Sequence, residues 1–428
     1  MNSSYRIAVI GLGYVGLPLA AALSRRYQVT GFDIDAKRVA EIKTGHDRTG
    51  EVEPDILRSV TTFFTADTAD LDAMDIYMVT VPTPVSADNR PDLGPVRAAC
   101  RTVGKAMREG AIVVFESTVY PGVTEKVCGP LLAEASGLEC GRQFFLGYSP
   151  ERINPGDREH TIDRITKVVA GQTPQAAQTL ADVYGAITSG GAFIARDIMT
   201  AEAAKVIENA QRDINIAFIN EIAMIFANLG LSVHDVLDAS ATKWNFLNFK
   251  PGLVGGHCIG VDPFYLAHCA QEVGLDPHVI LAGRQVNDAM ADFVADEIVR
   301  HVAANGTTED RFRFLVLGLT FKEDVPDLRN TKVVDMVARL RARGHDVDVH
   351  DPMADPEEAR EHYGLGLLTS LSLTGDYDCV IGSVPHSAYR TLTGEALDKL
   401  LKPNGMLADI KGMWRGLSLP EGVRYWRL

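Results

Sequence analysis

The segment GGHCIGVDP, residues 255–263, combines residue types that suit covalent chemistry. Cys258 follows two glycines and a histidine, and it precedes Asp262 by four positions. A structural cysteine is usually found in an apolar run, whereas the glycines here predict a loop that presents the thiol. A presented thiol can act as a nucleophile. We therefore interpret Cys258 as a candidate nucleophile, with a buried structural thiol as the alternative.

A second set of polar residues falls on a long predicted helix, which covers about residues 200–229 and is closed by Gly230. Lys205 and Asn209 are four positions apart, so their side chains share one helix face. An ammonium and an amide on one face can hold a water and stabilise charge that develops on an oxygen. The alternative for Lys205 is an ordinary solvated lysine.

The start of the chain has the pattern of a dinucleotide-binding unit. Strands are predicted at 6–10 and 28–32, with a helix at 18–26 between them. The intervening GLGYVG lets the backbone turn tightly and approach a diphosphate at the helix N-terminus. Asp33 is placed to bond ribose hydroxyls and to repel a 2′-phosphate, which favours NAD over NADP, whereas the nearby Arg38 can accept that phosphate. The cofactor contacts predicted here are Gly11, Gly13, Tyr14, Val15, Gly16, Asp33 and Arg38.

Strand and helix patterns continue to alternate along the chain, which predicts an α/β fold. The next predicted strands lie in DIYMVTVP, AIVVFEST and FFLGYSPE, with helices at 95–107 and 124–136. A second unit of the same order starts near Arg313 and reaches an acidic end at Asp351. Its turn carries Lys322 and Arg329 in place of glycines, which suits a different phosphate ligand.

We therefore predict two Rossmann-like domains with doubly wound parallel sheets, joined by the long central helix and a small helical domain. The predicted boundaries are 1–198 for the NAD-binding domain, 199–300 for the helical domain with the cysteine loop, and 301–428 for the substrate-binding domain. The apolar positions of the long helix permit close helix–helix contact, which predicts a homodimer and leaves higher assembly open. These positions are Ile207, Ile214, Phe218, Ile222 and Ile225.

Composition and charge limit the classes of function. The chain has 428 residues, 46% hydrophobic and 23% charged, with a formal net charge of -14, which disfavours nucleic acid as a partner. There is no apolar run of about 18 residues and no signal-peptide pattern, so we expect a cytoplasmic protein without a membrane span. The six cysteines contain no CxxC pair, so no metal site is expected.

Motifs over essentially the whole chain resemble those of the nucleotide-sugar 6-dehydrogenase family, which includes UDP-glucose and UDP-N-acetylhexosamine dehydrogenases. In order, they are GLGYVGLPLA, VPTP, FESTVYPG, SPERINPGD, AEAAKVIEN, GGHCIGVDP and GLTFKEDVPDLRNTK. The resemblance implies an NAD-dependent, four-electron oxidation of a sugar C6 hydroxymethyl group to a uronic acid. It also implies that Cys258 adds to the aldehyde, and that the thiohemiacetal is oxidised to a thioester, which water cleaves.

The resemblance assigns roles to residues by their place in these motifs. The catalytic groups that it implies are Cys258, Lys205, Asn209, Asp262, Glu151 and Thr118. The further cofactor contacts are Pro82, Thr83, Thr118 and Arg329. The substrate contacts are Glu151, Arg152, Ile153, Lys205, Asn209, Phe246, Lys250, Gly255 and Lys322. Glu151 is the candidate base for thioester hydrolysis, and Lys322 is expected to meet the diphosphate or the sugar.

Two positions bear on the substrate. The UDP-glucose branch tends to carry a second glutamate where this chain has Pro155, and His257 precedes the cysteine. Both features resemble the N-acetylhexosamine branch, in the group that serves bacterial capsule and O-antigen synthesis. The sequence leaves open a UDP- or TDP-glucose 6-dehydrogenase. Two other classes also stay open: a single-step NAD dehydrogenase of the hydroxy-acid or 6-phosphogluconate type, and a non-catalytic NAD-binding redox sensor.

Overall fold

The computed structural model describes residues 5–86, 88–152, 159–256, 259–304, 310–371 and 375–428. Two compact units are formed. The first unit comprises Met1–Asn209 and Phe264–Asp276, and the second comprises Ala210–Pro263 and Pro277–Leu428. The region predicted as a separate helical domain is divided between these units, and the three-domain division stays a prediction.

Strands and helices alternate in both units, as the sequence predicts. The strands are β1 (Arg6–Ile10), β2 (Gln28–Phe32), β3 (Phe63–Thr65), β4 (Ile76–Val79), β5 (Ile112–Phe115), β6 (Phe145–Tyr148), β7 (Lys167–Gly171), β8 (Ala192–Ile194), β9 (Arg313–Leu317), β10 (Asp346–His350), β11 (Tyr377–Gly382), β12 (Leu401–Asp409) and β13 (Arg424–Arg427).

The helices follow the same order along the chain. They are α1 (Gly16–Leu23), α2 (Ala36–Lys43), α3 (Pro54–Ser59), α4 (Gly94–Ala106), α5 (Gly129–Ser136), α6 (Pro174–Gly185), α7 (Ile198–Leu229), α8 (Val233–Ser240), α9 (Asp262–Glu272), α10 (His278–Ala303), α11 (Val333–Ala342), α12 (Pro356–Tyr363), α13 (Ser387–Arg390) and α14 (Gly394–Asp398). A short 3₁₀ segment covers Thr68–Leu71, and a π-helical turn at Thr124–Cys128 leads into α5.

The first unit is built on an eight-stranded sheet with the order β3-β2-β1-β4-β5-β6-β7-β8. This order reverses at β1 and β4, as in a doubly wound nucleotide-binding fold. The strands are apolar runs such as Ile7–Ile10, which are at most 2% exposed because helices cover both faces. Two strands depart from the predicted parallel sheet, since β7 runs antiparallel to β6, with Ala170 opposite Tyr148, and β8 runs parallel to β7.

The second unit holds a five-stranded parallel sheet with the order β10-β9-β11-β12-β13. Its opening turn repeats the geometry of the first unit. Gly11 and Gly318 both have φ +97°, and each donates its N–H to the last residue of the neighbouring strand, Phe32 and His350. The acid that follows that strand, Asp33 or Asp351, then accepts the N–H of the residue after the glycine. The predicted pair of Rossmann-like domains is confirmed.

The long helix α7 covers 32 residues, which is a length of about 48 Å. It extends the predicted range by two residues at its start and ends as predicted, before Gly230, whose φ of +71° ends the helix. No helix in the described part of the chain is both long and apolar enough to cross a membrane.

Candidate active site

The glycine-rich loop between β1 and α1 has three glycines with three different surroundings. At Gly11 a side chain would need the strained positive φ, and at Gly16 a Cβ would lie 1.8 Å from the Gly11 carbonyl oxygen. A Cβ on Gly13 would meet no atom within 4 Å, so the loop is open on that side. A bound diphosphate requires a tight turn, which Gly11 allows, close packing, which Gly16 allows, and an open approach to the backbone, which Gly13 leaves. The loop, with Tyr14 and Val15 half-buried in it, therefore fits NAD.

Asp33 is held against this loop at the carboxyl end of β2. Its Oδ2 accepts the Leu12 N–H at 2.8 Å, and its Oδ1 accepts the Asp35 N–H at 2.9 Å. Arg38 is 3% exposed and donates from Nε to the Leu12 carbonyl at 2.9 Å and from a terminal nitrogen to Asp47 at 2.7 Å. The guanidinium that was a possible acceptor of a 2′-phosphate thus braces the loop from inside the fold, which favours NAD.

The remaining predicted cofactor residues of the first unit follow the carboxyl ends of β4 and β5. Pro82 is exposed and Thr83 half-buried, and the Tyr265 hydroxyl of α9 donates to the Pro84 carbonyl at 3.1 Å. Thr118 is half-buried, three residues after the end of β5. These positions lie at the same edge of the sheet as the glycine-rich loop, where doubly wound folds bind ligands.

Glu151 is 8% exposed and forms part of a buried charged cluster. The Lys167 ammonium donates to Glu151 at 3.3 Å and to Glu116 at 2.9 Å, and both Lys167 and the Glu116 side chain are fully buried. The Tyr184 hydroxyl donates to the other oxygen of Glu116 at 2.5 Å. Burial raises the pKa of Glu116 against the opposing effect of Lys167. Burial alone would lower the pKa of Lys167, but its two carboxylate partners outweigh burial and raise it.

The helix turn with Lys205 and Asn209 is buried, since each of these residues is 7% exposed. The solvated-lysine alternative for Lys205 is therefore wrong. Glu208, which directly precedes Asn209 on α7, forms an ion pair with Arg152 at 2.8 Å. This pair links α7 to the segment that begins with Glu151, so the first unit brings the predicted base and this turn of α7 into one region.

A second contact ties the start of α7 to the segment after β5. The Glu202 carboxylate is fully buried and accepts the backbone N–H groups of Gly122, at 2.5 Å, and Thr124, at 2.9 Å. Burial raises the pKa of Glu202 to about 7, although these hydrogen bonds act in the opposite direction. The contact fixes the turn that follows Thr118.

In the second unit, the turn with Lys322 is held by a buried histidine. His386 Nε2 lies 3.0 Å from Asp351, and the Asp324 backbone N–H donates to His386 Nδ1 at 2.9 Å. Burial would raise the pKa of Asp351, but hydrogen bonds from His386 and the backbone lower it to about 2. Asp351 is therefore satisfied inside the protein, unlike an acid that is available to a ribose. The Thr320 hydroxyl donates to the Lys322 carbonyl at 2.9 Å.

A cleft in the second unit brings two predicted residues together, with one that was not predicted. Its wall includes Gly255, Lys322 and Lys411. Gly255 requires its glycine, because a Cβ would lie 2.6 Å from the Asn330 carbonyl oxygen. Burial lowers the pKa of Lys411, with Glu323 acting in the opposite direction. A lysine-lined cleft at the carboxyl ends of β9 and β11 can bind an anion such as a diphosphate.

The other predicted residues have more varied surroundings. Arg329 pairs with Asp327 at 2.6 Å, Phe246 is half-buried and Lys250 is exposed. Asp262 is 1% exposed and is the first residue of α9. Ile153, Pro155, His257 and Cys258 lie outside the described residues. In the part of the chain that the structure describes, no group of three His, Cys, Asp or Glu residues could hold a metal ion.

Sequence reasoning missed Lys167, Glu116 and Lys411. A single lysine at the start of an apolar strand gave no signal, because a parallel β7 would have placed it at the opposite edge of the sheet. Glu116 and Lys411 could have been found, since each comes directly at the carboxyl end of a buried strand, one residue after β5 and two residues after β12.

Three family models cover most of the chain. The NAD binding domain of the UDP-glucose/GDP-mannose dehydrogenase family matches residues 5–188, the central domain matches 199–289 and the UDP binding domain matches 315–416. The chain belongs to the UDP-glucose/GDP-mannose dehydrogenase family. The family resemblance and NAD as the cofactor are thereby confirmed, and the protein is an NAD-dependent nucleotide-sugar dehydrogenase that acts on a UDP-sugar.

Individual relatives match this dehydrogenase over nearly its full length. It is 50% identical to Protein CapL of Staphylococcus aureus over 422 residues, which cover 99% of each chain. It is 48% identical to UDP-N-acetyl-D-glucosamine 6-dehydrogenase of Pseudomonas aeruginosa over 407 residues, 95% of this chain and 96% of that one. Its structure is similar to that of a UDP-D-ManNAc dehydrogenase from Pyrococcus horikoshii, with a TM-score of 0.88 at 28% identity over 99% and 98% of the two chains.

Proposed function

We propose that this dehydrogenase oxidises the C6 hydroxymethyl group of UDP-N-acetylglucosamine or UDP-N-acetylgalactosamine to a carboxylate, in service of a surface polysaccharide or glycoside. The support for the sugar is the 48% identity to a UDP-N-acetyl-D-glucosamine 6-dehydrogenase together with Pro155 in place of a glutamate. The observation that carries the chemistry is the burial of Lys205 and Asn209 on one face of α7. A buried ammonium and amide on one face can stabilise an oxygen that gains negative charge.

The residues of this chain then have the following roles. The glycine-rich loop would hold NAD, which would supply the hydride acceptor, with one molecule consumed in each of two oxidations. In the first oxidation the C6 alcohol loses a hydride and its hydroxyl proton to give the aldehyde. Cys258 adds its thiolate to the aldehyde carbon, and the carbonyl oxygen takes a proton to give a thiohemiacetal. Loss of a hydride and a proton from this species leaves a thioester. Lys205 and Asn209 stabilise the oxygen at each stage, and Thr118 and Asp262 orient water.

Hydrolysis completes the reaction without further oxidation. Glu151 takes a proton from a water molecule as the water oxygen bonds to the acyl carbon, and the carbon–sulfur bond breaks to release the Cys258 thiolate. Lys322 and the cleft lysine Lys411 bind the UDP diphosphate. Gly255, Phe246, Lys250, Arg152 and Ile153 hold the substrate, and Arg329 contacts the cofactor.

The proposal is tested with Cys258→Ser and a panel of UDP- and TDP-sugars. A serine oxygen can add to the aldehyde, and the resulting oxygen ester hydrolyses slowly when the site is built to cleave a thioester. Intact-protein mass spectrometry of the Ser variant with NAD and the correct sugar should show one added nucleotide-uronyl group. Cys258→Ala should bind substrate and NAD without forming the adduct. Full steady-state turnover of Cys258→Ala would contradict the cysteine mechanism.

We further propose a homodimer built on α7. Its apolar residues Ile207, Phe218 and Ile225 are 53%, 58% and 47% exposed, although they recur at intervals that place them on one face. Lys205 is two positions from Ile207, so it lies on the other side of the helix. An exposed apolar stripe on a helix of this length is stabilised when a second copy covers it.

A further inference from the structure

Lys167 is a buried charged residue of the first unit that the proposed reaction does not use. Its side chain is fully buried, and its ammonium contacts the carboxylates of Glu116 and Glu151. Burying an ion pair costs several kcal/mol of desolvation per ion, so its presence is weak evidence of a stabilising role. We call Glu116, Glu151 and Lys167 the acid–lysine cluster.

The cluster forms because three chain segments reach one edge of the sheet. Glu116 directly follows β5, and Glu151 comes three residues after β6. Lys167 is the first residue of β7, which enters the sheet at that same edge because it runs antiparallel to β6. The local geometry therefore brings together residues that are far apart in sequence, at the edge where the glycine-rich loop also lies.

The cluster has two carboxylates for one ammonium. Lys167 lies 2.9 Å from Glu116 and 3.3 Å from Glu151, so the two carboxylates lie within about 6 Å of each other. Tyr184 of α6 also faces this cluster through its hydrogen bond to Glu116. On the other side, the second oxygen of Glu151 accepts the Arg152 N–H at 2.7 Å, and the Arg152 side chain pairs with Glu208 of α7.

We propose that Lys167 is a positioning residue for thioester hydrolysis, which fixes the side chain of Glu151 by a hydrogen bond and places a positive charge beside it, while Glu116 shares the ammonium. The inference rests on the proposed function, in which Glu151 accepts the proton of the attacking water. An ionised, immobile carboxylate is required for that transfer. The Lys167 ammonium attracts negative charge on both carboxylates, whereas the two carboxylates repel each other.

Two substitutions should shift the pH dependence of hydrolysis in opposite directions. Glu116→Gln removes the competing negative charge, so the acidic limb of the pH–rate profile should move to lower pH by about one unit. Glu116→Gln/Lys167→Met also removes the cation, so the limb should move to higher pH by about one to two units. The double variant avoids burying two carboxylates without a cation, which would endanger folding of Lys167→Met alone. Lys167→Arg keeps the charge and should restore a limb near that of the wild type.

Tyr77→Phe serves as the matched structural control in the same unit. The Tyr77 hydroxyl is buried and bonds only backbone groups of residues 71, 74 and 106 among its described contacts. Its loss removes buried hydrogen bonds without changing any charge. This variant should lower the melting temperature and leave the limb in place.

The measurement is a single turnover by rapid quench between pH 5 and 9, with NADH absorbance recording the oxidations and chromatography recording release of the uronic acid. The inference is supported if the acidic limb of the pH–rate profile for uronic acid release shifts in opposite directions in folded Glu116→Gln and folded Glu116→Gln/Lys167→Met, while both variants still form NADH. If both variants still form NADH but the limb stays in place in both, or shifts in the same direction in both, the inference is overturned. Absence of NADH formation by the wild type with every UDP- and TDP-sugar of the panel would instead overturn the proposed function.

Discussion

Gly13→Ala should separate cofactor binding from folding. A Cβ at Gly13 meets no protein atom within 4 Å, and its φ is not positive, so alanine fits without strain. The added methyl group projects into the open side of the loop, where the NAD diphosphate must approach the backbone. We expect the free energy of unfolding to stay within about 0.5 kcal/mol of the wild type, as for other unstrained exposed positions.

The expected loss of affinity follows from the contacts that the methyl group blocks. A hydrogen bond to a charged group contributes about 1.5–3 kcal/mol, so the loss of one such bond raises the Kd for NAD by about 10- to 150-fold. Gly16→Ala should behave differently, because its Cβ would lie 1.8 Å from the Gly11 carbonyl oxygen. Such overpacking costs about 1–3 kcal/mol of stability.

Isothermal titration calorimetry with NAD and thermal unfolding measure the two effects. Gly185→Ala is the matched control, since its Cβ also meets nothing within 4 Å, at the exposed end of α6. This control should keep wild-type affinity. Wild-type NAD affinity in folded Gly13→Ala would refute the assignment of this loop as the diphosphate site.

Three further predictions concern specificity, pH and assembly. Asp33→Asn should weaken NAD use about tenfold in kcat/KM without matching gain for NADP, because Arg38 is buried and engaged; efficient NADP turnover would contradict this. Burial raises the pKa of Glu202 from 4.5 to about 7. The free energy of unfolding of the wild type should therefore be highest below pH 4.5 and fall by up to about 3 kcal/mol as the pH rises through 7. Urea unfolding of Glu202→Gln should lack this decrease. The same pH dependence of the unfolding free energy in the wild type and in Glu202→Gln would contradict the prediction. Phe218→Arg should give a monomer by light scattering, whereas the control Val273→Arg, at a more exposed position outside α7, should stay a dimer. A dimer of Phe218→Arg would contradict an interface on α7.

The parts of the fold that depend on local patterns could be predicted from the sequence. The strands at Arg6–Ile10 and Gln28–Phe32 were predicted with their observed bounds, because apolar runs on both sides of a glycine-rich turn leave little choice. The long helix was predicted to within two residues at one end, since Gly230 marks the other. The second unit of the same order, which starts near Arg313, was also predicted, because it has the same sequence of strand, turn, helix and strand ending in an acid.

Features that depend on partners distant in sequence could not be predicted. The direction of β7 is set by its pairing with β6, and that direction alone brings Lys167 to Glu151. The sequence likewise shows Arg38 and Asp351 as charged residues near nucleotide-type turns, but not that Asp47 and His386 already engage them. Residue type indicates a possible ligand, whereas only the fold shows which side chains are occupied within the protein.

The number of NADH molecules formed per sugar consumed tests the central claim most directly. Limiting UDP-N-acetylglucosamine, and in parallel UDP-N-acetylgalactosamine, is exhausted in the presence of excess NAD, and NADH absorbance is compared with the uronic acid released. Four-electron oxidation predicts about two NADH for each uronic acid, with no free aldehyde, because each hydride transfer yields one NADH. A ratio of one would contradict the account and indicate a single-step alcohol dehydrogenase, and no NADH with any nucleotide sugar would contradict oxidation of such sugars altogether.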